Sequence, residues 1–244
     1  HRDLTYPRIP GHEVVAEVLE ADSSSIAPGD RVQVWPGSSC GRCRHCLSGN
    51  DHLCPEVRIM GFNMDGGMAE IIAVEDASRL NPIGRADACL MTLAEPLACC
   101  INAQEKLDVR DGDRVLILGG GPLGCLNAFL ARRRGAGTVM VSEPLPERLR
   151  TVPKGLIDRT VPPDAGSLMR AVEEETGGQG MDVIIPCTPQ VRLDHGVFRL
   201  LSLRGRLCVF SGPGREDSVV PVDLRDMHYR ELTAVGSYGN ASRH

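Results

Sequence analysis

The stretch that most constrains this chain runs from Arg114 to Glu143, RVLILGGGPLGCLNAFLARRRGAGTVMVSE. Val115–Leu118 is an aliphatic run with the composition of a strand buried on both faces. It leads directly into Gly119-Gly120-Gly121-Pro122-Leu123-Gly124, a G-x-G-x-x-G hexapeptide. Leu123, Leu126, Ala128, Phe129 and Leu130 recur at near-helical spacing and predict a helix to about Arg134. Gly135–Gly137 breaks it, Val139–Val141 predicts a second strand, and Glu143 closes that strand. Glycine-rich turns are common on their own. A strand before, a helix after and an acid at the end of the next strand is the context a dinucleotide pyrophosphate demands.

Each residue type has a physical reason. Gly119 permits the tight turn, Gly121 lets the backbone approach a pyrophosphate, and Gly124 lets helix and strand pack closely, while the helix N-terminus offers free N–H groups to the phosphates. Gly119, Gly121, Pro122, Leu123 and Gly124 are therefore the candidate phosphate-facing residues. Glu143 can accept hydrogen bonds from both ribose hydroxyls and would repel a 2′-phosphate, which favours NAD over NADP; Arg148 lies close by and leaves NADP open. The plainer alternative is an ordinary strand–helix turn followed by a surface glutamate.

Downstream, strand and helix patterns alternate. Leu145–Arg150 starts a helix that Pro153 cuts short, and Leu156–Val161 predicts a strand. Ala165–Thr176 predicts an amphipathic helix and Met181–Cys187 a buried strand. Val191–Leu203 reads as helix, Arg206–Phe210 as strand, and Glu231–Gly236 as a sixth strand. This spacing indicates an α/β doubly wound parallel sheet. Ligands of such sheets sit at the carboxyl ends of the strands, where Cys187, Thr188, Ser211 and Ser237 fall, so these are further candidate cofactor contacts; each can equally be an ordinary turn residue.

The first hundred residues read differently. Val14–Glu20, Arg31–Trp35 and Met68–Val74 predict short strands separated by Pro/Gly/Asp turns, as in a compact β-barrel-like unit. A helical linker over about Asp87–Lys106 crosses a boundary near residues 98–110, giving domains 1–104 and 105–244. The formal net charge of −5 and the absence of interleaved basic and aromatic residues argue against nucleic-acid binding. No apolar run is long enough to span a membrane, and no signal-peptide pattern opens the chain. Six of the ten cysteines lie scattered in apolar segments, which suggests a reducing, cytoplasmic setting.

The other four form Cys40-x2-Cys43-x2-Cys46-x7-Cys54 within a lobe at about residues 37–56. Four thiolates close a tetrahedral zinc shell and leave no position for substrate, so such a site is structural. An iron–sulfur cluster uses the same ligands but not these spacings. His45 and His52 read as solvated lobe residues. A second candidate cluster rests on Gly11-His12-Glu13 and on Leu93-Ala94-Glu95-Pro96-Leu97-Ala98, where a carboxylate interrupts an apolar stretch. Buried glutamates are rare without a partner or a metal. His12, Glu13 and Glu95 together can form a zinc site with an open position.

In this order, Gly-His-Glu, the four-cysteine lobe, Glu95-Pro96-Leu97-Ala98 and the glycine motif resemble the zinc-dependent medium-chain dehydrogenases/reductases, and within them the sorbitol (polyol)/threonine dehydrogenase branch. The resemblance covers nearly the whole chain. It implies a GroES-like catalytic domain with a structural-zinc lobe joined to a Rossmann NAD-binding domain. It implies that His12 binds a catalytic zinc, that Glu13 binds or backs it, and that Glu95 approaches it as an exchangeable ligand or water partner. The implied reaction is oxidation of a secondary alcohol of a polyol, amino alcohol or sugar-like substrate, with hydride transfer to NAD, in a homodimer or homotetramer. Two departures qualify it. The family takes its first catalytic ligand from a cysteine upstream of Gly-His-Glu, and no cysteine precedes Cys40 here. The family also continues beyond the sixth strand, whereas this sequence stops at His244, so it reads as an internal piece that binds NAD better than it catalyses. His1 either belongs to the family's proton-relay region or is a chain-end residue. The rival readings are a zinc-free quinone or enone reductase of the same superfamily and a non-catalytic NAD- or zinc-binding regulator.

Overall fold

The computed structural model describes residues 6–150, 152–189, 195–214, 216 and 218–244; the expectation for His1 and the start of the predicted helix at 191–194 lie outside them. The chain divides into two compact units. One contains the residues up to Cys99 together with Gly239–His244, and the other Cys100–Tyr238.

In the first unit, β1 (Val14–Glu17) pairs antiparallel with β2 (Arg31–Val34), setting Val14 opposite Val34 and Ala16 opposite Val32. A two-residue strand, β3 (Gly37–Ser38), pairs with β4 (Arg58–Ile59) and brackets the cysteine lobe. β5 (Leu80–Pro82) adds to the other edge of β2. Between β3 and β4 a one-turn helix, α1 (Arg44–Leu47), carries Cys46, with Cys43 as its N-cap residue.

Met68–Val74 is not a strand. Its neighbours Gly66 and Gly67 instead bring the backbone against the Pro10–Gly11 turn, where Gly66, Gly67 and Met68 donate to the carbonyls of Ile9, Gly11 and Pro10. A Cβ on Gly66 would stand 2.3 Å from the Gly11 oxygen, so this close crossing needs glycine. The short apolar run that predicts a strand here has no ladder partner among the described residues, and Met68 and Ile71 stay exposed.

The predicted linker is two helices. In α2 (Ala88–Met91) Asp87 caps the start by accepting from Leu90 N. The longer α3 (Ala94–Leu107) begins with Glu95 and Pro96 in its first turn, where proline lacks only an N–H that has no helical partner.

The second unit is a six-stranded sheet ordered β11-β10-β9-β6-β7-β8. Its strands are β6 (Arg114–Leu118), β7 (Thr138–Ser142), β8 (Arg159–Val161), β9 (Met181–Pro186), β10 (Leu201–Val209) and β11 (Thr233–Gly236), all paired in parallel. This is the doubly wound order, and its reversal falls between β6 and β9. Val115, Ile117, Val139 and Val141 point into one core with Ala128 and Ala131 of α4 (Pro122–Arg133). Leu116, Leu118, Met140 and Ile184 point into the other with Ala171 and Val172 of α5 (Ala165–Thr176). At the amino ends of the strands the Arg114 guanidinium and backbone N–H grip Asp182 at 2.9–3.0 Å, and Ser202 donates to the same carboxylate at 2.9 Å.

Two helical expectations change. Leu145–Arg150 holds a single 3-10 turn, Pro146–Leu149, because Pro146 and the nearby Pro153 leave no room for regular α-helical bonding. The predicted helix to Leu203 is α6 (His195–Arg199), and Leu201 already belongs to β10 because it pairs with Met181 of β9. The last helix, α7 (Leu224–Tyr229), is capped by Asp223.

Candidate metal and dinucleotide sites

Four cysteine sulfurs converge in the lobe of the first unit, all within 4.8 Å of one another. Cys43 and Cys46 stand 3.5 Å apart, and Cys40 and Cys46 4.0 Å. Sulfurs each about 2.3 Å from one zinc ion sit about 3.8 Å apart in a tetrahedron, so these spacings fit. Backbone N–H groups of Cys40 and Glu56 point at Cys54 Sγ at 3.5 and 3.4 Å. The N–H groups of Arg42 and Cys43 pull the Cys40 thiol down to about 7, whereas burial pushes Cys54 up to about 11. His45 and His52 stay outside the cluster, but His52 is buried rather than solvated, its ring beside that of His244.

A second convergence lies in the same unit. Gly11, at φ +95°, turns the chain so that His12 and Glu13 precede β1, and Glu95 projects from the first turn of α3. The three side chains offer ligand atoms within 4.8 Å of one another. His12 Nε2 stands 4.0 Å from Glu95 Oε2. Nitrogen and oxygen ligands about 2.0–2.2 Å from one ion lie roughly 3.4 Å apart, so a small side-chain movement suffices. The His12 ring rests against Phe62, with centroids 5.0 Å apart. Beside it opens a cavity of about 800 Å³ lined by Arg8, His12, Glu13, Phe62, Met68 and Thr92.

Glu95 is only 8% exposed. Burial pushes its carboxyl above the usual carboxylate range, and the His12 charge and the Asn240 amide pull the other way. Asn240 Nδ2 donates to Glu95 Oε1 at 2.7 Å, and the Cys99 thiol donates to the same oxygen at 3.7 Å. Burial pushes the Cys99 thiol up to about 12, so it remains a neutral donor. Asn240 lies outside every motif that the sequence displays. It comes from the tail Gly239–His244, whose Ser242 N–H also donates to Asp51 of the cysteine lobe at 3.0 Å. The only sequence signal for it is an asparagine beside a glycine, which reads as a turn.

In the second unit the glycine motif sits at the carboxyl end of β6. Gly119 has φ +109°, which side chains other than glycine's rarely adopt, and its N–H donates to Ser142 O. A Cβ on Gly124 would stand 1.9 Å from the Gly119 oxygen, whereas one on Gly121 would meet nothing within 4 Å. Pro122 and Leu123 form the first turn of α4.

Glu143 behaves differently from a free acceptor at the end of a strand. It is 6% exposed, and its Oε2 accepts from Gly120 N–H at 2.7 Å. Its Oε1 accepts from Leu145 N–H at 3.0 Å and from Arg148 at 3.5 Å. The carboxylate thus braces the glycine loop, and Oε2, with one donor, keeps room for another. Thr188 packs against Gly119, and Cys187 N–H continues the sheet to Leu118 O. Ser211 and Ser237 fall just past β10 and β11, where their N–H groups donate to Pro186 and Val209 carbonyls. The structure thus brings Gly119, Gly121, Gly124, Glu143, Arg148 and Thr188 to the β6–β7–β9 end of the sheet.

Comparison with known proteins agrees with both halves. Residues 1–84 match the alcohol dehydrogenase GroES-like domain and residues 122–244 the zinc-binding dehydrogenase domain. D-altritol 5-dehydrogenase of Agrobacterium fabrum strain C58 is 30% identical over 242 residues, which cover 97% of this chain and 69% of that protein. Among solved structures, a protein of Sinorhizobium meliloti 1021 described as a zinc-binding dehydrogenase, crystallised with NADP, superposes with a TM-score of 0.87 at 33% identity over 98% of this chain and 70% of that one. The L-idonate 5-dehydrogenase of Escherichia coli superposes with a TM-score of 0.82 at 28% identity, covering 96% and 68%. The chain belongs to the zinc-type alcohol dehydrogenase family of medium-chain dehydrogenases. It spans about 70% of the length of these relatives.

Proposed function

We propose that this chain is the metal- and dinucleotide-binding part of an oxidoreductase that takes a secondary alcohol of a polyol, sugar acid or amino alcohol to the ketone. The observation that carries this reading is the convergence of His12, Glu13 and Glu95 on one point beside a cavity of about 800 Å³. Asn240 and Cys99 donate to Oε1 of the buried Glu95, which leaves Oε2, 4.0 Å from the His12 imidazole, as the oxygen placed to meet an ion or a hydroxyl. Relatives that act on altritol, idonate, galactonate and sorbitol point to the same class of substrate.

His12, Glu13 and Glu95 would hold the catalytic zinc, and Cys40, Cys43, Cys46 and Cys54 the structural one. When bound, the catalytic metal supplies positive charge that eases loss of a hydroxyl proton, and the dinucleotide supplies the hydride acceptor. The protein's own contribution is placement. Phe62 packs against the ring of His12, and the first turn of α3 presents Glu95 where the helix dipole favours a negative charge. In the second unit Glu143 braces the Gly120 N–H, and the open space over Gly121 admits a pyrophosphate. Glu143 favours NAD because a 2′-phosphate would meet its charge. Among the described residues no helix is long and apolar enough to cross a membrane. We place the protein in the cytoplasm on the scatter of its cysteines through apolar segments, and as a homo-oligomer on the family it belongs to.

The test is metal content combined with turnover. The parent chain should bind two zinc ions, and His12→Ala or Glu95→Ala one. In the full-length protein both substitutions should abolish alcohol-dependent NAD reduction while keeping dinucleotide affinity within about twofold. An equal fall in dinucleotide affinity, or unchanged zinc content, would remove these residues from the metal site.

A further inference from the structure

Asn240 is joined on one side to Glu95 and on the other to Trp35, the chain's single tryptophan. The Trp35 indole N–H donates to Asn240 Oδ1 at 3.0 Å. An indole nitrogen can only donate, so the amide oxygen must face it, and the amide N–H₂ group is thereby turned toward Glu95. There Nδ2 stands 2.7 Å from Glu95 Oε1, with Cys99 Sγ at 3.4 Å for the second hydrogen.

Trp35 itself is held firmly. Its backbone N–H donates to Arg79 O at 2.8 Å, and Arg79 Nε donates back to the Trp35 carbonyl at 3.2 Å. The indole lies over Gly37, where a Cβ would come within 2.4 Å of the ring.

A glutamate carboxylate turns easily about its last bond, so either oxygen, or both, can face an ion. Here Oε1 is engaged by Asn240, and Oε2 is the oxygen that stands 4.0 Å from His12 Nε2. We propose that Asn240, locked by Trp35, is a positioning residue that fixes which Glu95 oxygen faces the His12 pocket, and so makes Glu95 a one-oxygen metal ligand. The proposal rests on the reading of His12, Glu13 and Glu95 as a metal site. Neither Trp35 nor Asn240 touches the metal position; each acts through Glu95.

The experiment is cobalt(II) titration of the full chain, read by visible absorption and by metal stoichiometry after gel filtration. Asn240→Leu keeps the branched outline of the side chain and removes both hydrogen bonds. It should weaken cobalt binding at the His12 site by about ten- to a hundredfold, the range typical of losing a partner that orients a metal ligand. It should also change the absorption bands of that ion. The four-cysteine site should keep its metal and the far-UV circular dichroism its shape. Trp35→Phe, which leaves the amide free to rotate, should move affinity and spectrum the same way by less, and the double variant should be no worse than Asn240→Leu alone.

Parent affinity and an unchanged spectrum in Asn240→Leu would overturn the proposal. Should that variant not fold, an unchanged affinity and spectrum in Trp35→Phe would overturn it equally. A lower melting temperature with an unchanged cobalt spectrum would reduce Asn240 to a packing role. A parent chain that binds cobalt only at the cysteines would sink the metal-site reading itself, a different failure.

Discussion

Alanine at Gly124 and alanine at Gly121 should do opposite things, although both lie in the same hexapeptide. The Gly124 Cβ would stand 1.9 Å from the Gly119 carbonyl oxygen. The closest comfortable carbon–oxygen approach is about 3.3 Å, so α4 and the turn after β6 must separate by about 1.4 Å. Both sides of this contact are backbone, and no side chain can rotate away. Forcing extra volume into such a site costs about 1–3 kcal/mol, and the rigidity of the partners puts Gly124→Ala at the upper end. For a chain of this size about 3 kcal/mol corresponds to a melting-temperature drop of roughly 6–12 °C. At Gly121 a methyl group meets nothing within 4 Å, and the backbone there (φ −70°) is ordinary for any residue. Gly121→Ala should therefore melt within about 1 °C of the parent, since surface changes free of strain are nearly neutral. Its methyl group would occupy the space reserved for a pyrophosphate, and dinucleotide affinity should fall at least about tenfold, roughly 1.4 kcal/mol. Scanning calorimetry and a fluorescence titration with NADH separate the two effects. Equal melting temperatures for the two variants, or an unchanged affinity in Gly121→Ala, would refute the division of labour within the motif.

Three further outcomes are open to direct measurement. Cys46→Ser should remove one zinc per chain and most of the soluble yield, measured by atomic emission on purified protein; retained stoichiometry would count against the lobe as a metal site. Glu143→Ala should raise the NADP/NAD affinity ratio and weaken binding of both, because the Gly120 N–H loses its acceptor; isothermal titration with each dinucleotide checks this. Asp182 is half-buried, and burial raises its pKa, but the hydrogen bonds and charge of Arg114 outweigh burial and hold the carboxyl below its usual range. A depressed folded-state pKa contributes stability that is complete above the unfolded value of about 3.9 and is lost as pH falls through the lower folded value. The melting difference between parent and Asp182→Asn should therefore be constant from neutral pH down to about 5 and shrink below about 4, as thermal melts across that range will show.

The parts of the fold that the sequence displays are those whose signals are local. Asp164 accepts from Ser167 N–H at the start of α5 and Gly177 ends it in the left-handed region at φ +58°, so the bounds Ala165–Thr176 can be read from neighbouring residues alone. The glycine motif likewise carries its own strand and helix. Met68–Val74 misleads because an apolar run becomes a strand only if a neighbour offers a ladder, and the neighbour here is a turn approached through Gly66 and Gly67. The extra residues of β10 come from pairing with Met181, a contact between strands that no window of sequence contains. Glu143 shows half its behaviour: the acid at the end of the strand is legible, its grip on Gly120 is not. The metal-site candidates are legible because His12, Glu13 and four cysteines are unusual residues at unusual spacings. Trp35 and Asn240 are not, because 205 residues separate them and each alone is unremarked chemistry.

The return of Gly239–His244 to the first unit makes that unit discontinuous along the chain. A fragment ending at Cys99 would carry His12, Glu13 and Glu95 but leave the Trp35 indole N–H and Glu95 Oε1 without their amide partner. Work on that unit in isolation accordingly calls for a circular permutant or a fusion that supplies the final six residues in cis.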